Sequence, residues 1–220
     1  MPEVVPNPEA LRAYAQQVHS DLTIGVLALQ GSYWEHEAML LRVGVGVREV
    51  RLPEDLDGLA GLIIPGGEST TMGKLAVEFG LMEPLRAFAQ EHAMWGTCAG
   101  AIFMSKDARR QQPLLGVMNI EVERNAFGRQ VDSFEIDLDI PALTAVDPDP
   151  RPFHAIFIRA PLIEAVHPPA EVLARLPDGR IVAAQQGHLL ATAFHPELTD
   201  DERFHRYFVH LAQRAPVRAG

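Results

Sequence analysis

Apolar and polar positions follow two different rhythms along the chain. In the first half, a nearly continuous apolar run at 23–30 predicts a strand covered on both faces, and further strands are predicted at 45–50, 61–64 and 93–97. Helical spacing separates them. Glu35, Ala38, Met39, Leu41 and Arg42 follow a helical pattern that stops at Gly44, and further helices are predicted around 70–79 and 82–92. A Pro/Asp turn occupies 53–58. Strand, helix, strand, helix is the order of a parallel sheet with helices packed on both sides.

The second half reads differently. Segments 117–123, 134–140, 153–159, 171–176, 180–186 and 188–194 all look like strands, parted by turns such as Pro177-Asp178-Gly179. They predict antiparallel additions flanking the sheet. A closing helix is signalled by the capping-box pair Thr199 and Glu202, with Phe204, Tyr207, Phe208 and Leu211 as its buried stripe. Residues 141–152, which include Asp147-Pro148-Asp149-Pro150, read as a loop and not as a domain boundary. Residues 1–22 stand apart as an extension. Asn7 and Pro8 can open a short helix there, with Leu11, Tyr14, Ala15 and Val18 on one face. The expected fold is α/β: one domain over 23–215, an open and mostly parallel flavodoxin-like sheet.

Composition narrows the function. The 220 residues are 47% hydrophobic and 22% charged, the balance of a globular chain large enough to bury its own core. A formal net charge of −10 and the absence of a dense Lys/Arg run argue against nucleic acid. No apolar run reaches the length of a membrane span, and the first 20 residues lack a secretory pattern. A cytoplasmic, membrane-free protein is expected. One cysteine excludes a disulfide framework, and scattered histidines show no metal-ligand spacing.

That cysteine carries the sharpest signal. Gly96-Thr97-Cys98-Ala99-Gly100 lies between an apolar strand and a helix-compatible run, the arrangement of a nucleophile elbow. At the head of a helix, exposed N–H groups favour a thiolate. A cysteine nucleophile needs a histidine base and a group that orients it. His195 closes the strand at 189–194, and Pro196 biases it toward an extended conformation, so that Glu197 at i+2 lies on the same side. Pro65-Gly66-Gly67-Glu68-Ser69-Thr70-Thr71 directly follows the strand ending at Ile64. Its backbone N–H groups can serve as an anion nest or oxyanion hole.

In this order these pieces resemble the class I (triad) glutamine amidotransferases. Leu29-Gln30-Gly31, the 65–72 loop, Glu123-Arg124-Asn125-Ala126-Phe127-Gly128-Arg129-Gln130, Phe157-Ile158-Arg159-Ala160-Pro161 and Phe194-His195-Pro196-Glu197-Leu198 narrow it further. They are similar to the branch of glutaminases that serves pyridoxal 5′-phosphate (vitamin B6) synthesis. The resemblance covers roughly 22–212.

The resemblance implies hydrolysis of L-glutamine through a cysteinyl thioester, with no cofactor and no metal. It implies Cys98 as nucleophile, His195 as general base and Glu197 as its orienter. It places Gly66, Gly67, Glu68, Arg124, Ile158 and Arg159 at the substrate, and Gly67 and Ala99 N–H in the oxyanion hole. It also implies a partner, the synthase subunit of pyridoxal 5′-phosphate synthase, which receives the ammonia in a hetero-oligomeric complex. Three alternatives remain at this point: a glutaminase for another synthase such as the imidazole glycerol phosphate enzyme, a stand-alone cysteine hydrolase, and a non-catalytic module of the same fold. The extension at 1–22 and the 147–150 loop depart from the family pattern without touching a motif.

Overall fold

A computed structural model describes residues 20–123 and 133–215. Strand β1 (Thr23–Leu27) is followed by α1 (Tyr33–Val43), β2 (Gly46–Val50), β3 (Gly61–Ile64), α2 (Ser69–Glu78), α3 (Met82–Glu91), β4 (Ala93–Thr97) and α4 (Ala99–Met104). Then come β5 (Ser105–Asp107), β6 (Met118–Glu123), β7 (Ser133–Leu138), β8 (Phe153–Ile158), β9 (Leu162–Val166), β10 (Glu171–Arg175), β11 (Ile181–Gln186), β12 (Leu189–Thr192) and α5 (Arg203–Arg214).

The main sheet runs β2-β1-β3-β4-β12-β11-β9-β6-β5, with β10 paired to β11. Pairing is parallel from β2 to β12 and antiparallel from β12 through β11 and β9 to β6. The expected α/β architecture is therefore present, with parallel and antiparallel strands in one sheet. Helices α2, α3 and α4 pack over one face around Leu62, Met94, Phe103 and Leu85. Helices α1 and α5 cover the other around Ile63, Trp95, Phe204 and Phe208. Strands β3, β4 and β12 are buried along their length, which is why their sequences are apolar without alternation.

Several details differ from the sequence reading. Strands β7 and β8 pair only with each other, as a separate two-stranded ribbon beside the sheet. Strands β5 and β9 were not anticipated. The final helix starts at Arg203, one residue after Glu202, and its cap carries no side-chain hydrogen bond. Thr199 Oγ1 instead bonds within the preceding turn, donating to the Pro196 carbonyl and accepting from Asp201 N–H. The helix stripe is otherwise as expected, with Phe204, Tyr207 and Phe208 buried. The helix suggested by Asn7 to Val18 lies outside the described residues. No helix among the described residues is long and apolar enough to cross a membrane.

Candidate active site

The four neighbouring strands β1, β3, β4 and β12 end at one edge, and each releases a turn toward the same crevice. Open parallel sheets place their sites outside these carboxyl ends. The turn after β4 holds Cys98 at φ 49° and ψ −107°, a conformation that few L-residues adopt. Its N–H is anchored to the Thr192 carbonyl of β12 at 2.8 Å. A Cβ on Gly100 would fall 2.0 Å from the Ile64 carbonyl, so only glycine lets α4 leave the sheet this close to β3. Cys98 stays 8% exposed.

His195 leaves β12 on the other side of the crevice. Its N–H donates to the Ile156 carbonyl of β8 at 2.9 Å, so the separate ribbon braces the base. The chain after it is not extended as the sequence suggested: Pro196–Leu198 forms a single 3-10 turn. That turn still brings the side chains together, with His195 Nδ1 2.7 Å from Glu197 Oε1. The carboxylate is buried, and Ser32 Oγ also donates to Oε1 at 2.8 Å. Ser32 N–H bonds the Gly66 carbonyl at 3.1 Å, tying the turn after β1 to the turn after β3.

The electrostatics follow from burial and pairing. Burial opposes a charge on His195, but its hydrogen bonds to Cys98 and Glu197 outweigh this and raise its pKa to about 10. Burial likewise opposes ionisation of Glu197, while His36 and His195 beside it hold the carboxyl down at about 2. At neutral pH this is an imidazolium–carboxylate pair beside Cys98.

A pocket of about 360 Å³ opens in front of Cys98 and His195, lined also by Gln30, Glu68, Ile158 and Arg159. Its size suits a single amino acid. Gly67 and Ala99 line it as well, whereas Gly66 sits behind the base. A Cβ on Gly66 would come within 2.5 Å of His195 Cε1. Glycine at this position therefore allows close approach to the base. Glu68 caps α2 by accepting from Thr71 N–H at 2.6 Å while facing the pocket. Arg124 lies outside the described residues. Ser32 and His36 join the site without any local sequence pattern that flags either one.

The fold, with a cysteine raised at the β4 elbow beside a histidine from β12, is that of the class I glutamine amidotransferases. A crystal structure of a glutamine amidotransferase superposes with a TM-score of 0.80 at 50% identity, covering 86% of this chain and 98% of its own. The chain belongs to the SNO glutamine amidotransferase family, which matches residues 26–214. Its relatives include the "Pyridoxal 5′-phosphate synthase subunit PdxT" proteins of Herpetosiphon aurantiacus and Deinococcus radiodurans. The first is 57% identical over 86% of this chain and 100% of its own length. The second is 56% identical over 87% and 97%. A putative GMP synthase subunit from Thermoplasma acidophilum shares the fold at 18% identity, with a TM-score of 0.63.

Proposed function

We propose that this chain hydrolyses L-glutamine to L-glutamate and ammonia and delivers the ammonia to the synthase subunit of a pyridoxal 5′-phosphate synthase. The reading rests on Cys98 and His195 lining one amino-acid-sized pocket, with Glu197 bonded to His195 behind it. Relatives named as subunits of pyridoxal 5′-phosphate synthase support that destination for the ammonia.

Cys98 Sγ, as thiolate beside the His195 imidazolium, attacks the side-chain amide carbon of glutamine. The carbonyl electron pair moves onto oxygen, and the N–H groups of Gly67 and Ala99 hold the resulting oxyanion. Each such donor is worth about 10²–10³ in rate. His195 passes its proton to the amide nitrogen, the C–N bond breaks, and ammonia leaves a γ-glutamyl thioester. His195 then takes a proton from water, whose oxygen attacks the thioester, and Cys98 leaves with glutamate as the product. Glu197 stays ionised throughout and stabilises the imidazolium at each stage. Arg159, with Ile158 beside it, borders the pocket where the amino-acid end of the substrate would lie, and Arg124 joins them in this reading.

The test is ammonia release from L-glutamine by the pure chain, followed by titration with the synthase subunit. Turnover that rises with the synthase supports both halves of the reading. Release that ignores it points to a stand-alone hydrolase, and no release in either case overturns the glutaminase.

A further inference from the structure

The buried polar line does not end at Glu197. Oε1 of this carboxylate takes two donors, His195 Nδ1 and Ser32 Oγ. Oε2 is fully buried and has no hydrogen-bond partner among the described residues. The group facing it is His36 Nε2 of α1, at 3.4 Å. His36 is itself fully buried. Its Nε2 also lies 3.1 Å from Thr97 Oγ1, and its Nδ1 lies 2.9 Å from Nε2 of His205 on α5. Both imidazoles stand edge-on to Trp95, with ring centroids 5.5 and 5.0 Å away, so neither ring is free to turn.

We propose that His36 is a positioning residue for the glutaminase reaction: it holds Glu197 Oε2 with an Nε2–H, and His205 fixes that tautomer. The proposal rests on the triad reading given above.

The argument is one of proton placement. A single hydrogen lies between His36 Nδ1 and His205 Nε2, because one must donate and the other accept. Were it on His36 Nδ1, the neutral ring would turn a lone pair toward a buried carboxylate oxygen, leaving that charge unmet. With the hydrogen on His205 Nε2, His36 keeps its own on Nε2, shared between Thr97 Oγ1 and Glu197 Oε2. The ring nitrogen left without a partner, His205 Nδ1, is then a bare acceptor and not an orphaned N–H.

Both rings are neutral. Burial pushes His36 down to about 4 against the pull of Glu197, and pushes His205 well below the ordinary histidine range. The groups facing Glu197 are His195, His36 and Ser32. Those facing His36 are Glu197, His195, Thr97 and His205, and Arg42 adds its charge near His205. His36 is thus a neutral donor behind the acid. It keeps the carboxylate ionised, with Oε1 turned to His195. Without it, Oε2 is a buried charge with no donor, and Glu197 takes up a proton at higher pH.

The experiment uses the whole chain and His36→Leu, His36→Gln and His205→Leu. Glutamine turnover with the synthase present is followed against pH, together with the rate at which iodoacetamide alkylates Cys98. Cys98 is the only cysteine in the chain, so the alkylated product is unambiguous. His36→Leu is expected to lower kcat about 10- to 100-fold at neutral pH with KM nearly unchanged. It should also move the acid limb of both profiles up by about one pH unit, because a carboxylate without its second donor is held less firmly and stabilises the His195 imidazolium beside Cys98 less well. Gln, which restores an N–H donor, recovers most of both effects, and His205→Leu gives a smaller shift in the same direction. An acid limb that stays in place in His36→Leu overturns the proposal, as does a Gln variant no better than Leu. If His36→Leu does not fold, an unmoved limb in His205→Leu overturns it instead. If the wild-type chain alkylates but never hydrolyses glutamine, the glutaminase reading fails, while the alkylation limbs still decide the role of His36.

Discussion

Strands β3, β4 and β12 are buried at every position, whereas β6 alternates buried with half-buried residues and β7 alternates exposed with half-buried ones up to the buried Leu138. The candidate site straddles this divide. Cys98, His195 and Glu197 leave the buried parallel strands and are at most 8% exposed. Ile158 and Arg159 leave the β7–β8 ribbon and are exposed. One half holds groups in place where a small displacement ruins proton transfer. The other offers contacts at a surface, suited to gripping and releasing a substrate. In the proposed reaction the parallel half performs the chemistry and the antiparallel half supplies binding.

The strongest test of that division is on the parallel side. Cys98→Ala is expected to abolish glutamine turnover, a loss of about 10⁶, because a nucleophile cannot be replaced by its neighbours. Its thermal midpoint should barely move, since the small side chain faces the crevice. Residual turnover in assays of ammonia release would remove Cys98 from the reaction, and a large drop in midpoint would mark it as a packing residue. Glu197→Gln comes next. A neutral amide stabilises the imidazolium poorly and selects the wrong tautomer, and an analogous triad change costs about 10⁴ in kcat. A loss below tenfold would leave Glu197 as structure alone.

The same divide explains what could be read from sequence. Strands β1, β3 and β4 are each an apolar run with a helix following in the chain, so they were legible locally. Cys98 was legible because Gly96 and Gly100 bracket it, and His195 because it closes a strand. Pairing across the antiparallel half depends on partners far apart in the chain. Nothing local separates the β7–β8 ribbon from the main sheet, and Leu162–Val166 is too short a run behind Pro161 to announce β9. The capping box failed because Thr199 Oγ1 accepts from Asp201 N–H and the helix takes Glu202 as its cap. His36 and His205 lie 169 residues apart, and only the packing of α1 and α5 around Trp95 brings them together.

Two substitutions probe the boundary itself. In Gly66→Ala the new methyl would lie 2.5 Å from His195 Cε1, and the displacement of about 1 Å needed to relieve it costs about 10² in kcat. Steady-state kinetics within threefold of wild type would show that the parallel edge yields, against the rigidity assigned to it. In Arg159→Ala the loss should appear in KM, about tenfold or more for a charge-assisted contact, with kcat little changed. A fall in kcat as large as that in kcat/KM would place the antiparallel side in the transition state and erase the distinction.

The smallest effect is on stability and isolates the parallel half again. His36 and His205 are buried neutral, with folded-state pKa values below the unfolded value of 6.5. Below pH 6.5 the unfolded chain therefore binds protons that the folded chain does not, and stability falls as the pH falls. From pH 6.5 to 5.5 this amounts to on the order of 1 kcal/mol for each histidine. Other groups act in different windows. His195, raised to about 10, contributes stability that is full below 6.5 and is lost as the pH climbs toward 10. Glu197, held at about 2, contributes stability that is lost only as the pH falls below 4.5. His154 on the ribbon is raised by Asp137 and Glu135, so it too is silent in the acid window. Thermal melts should therefore show a midpoint several degrees lower at pH 5.5 than at 6.5. His205→Gln is expected to remove about half of that drop, and His154→Gln none of it. An equal drop in all three chains would locate the acid sensitivity outside the buried line and leave the two halves of the sheet electrostatically alike.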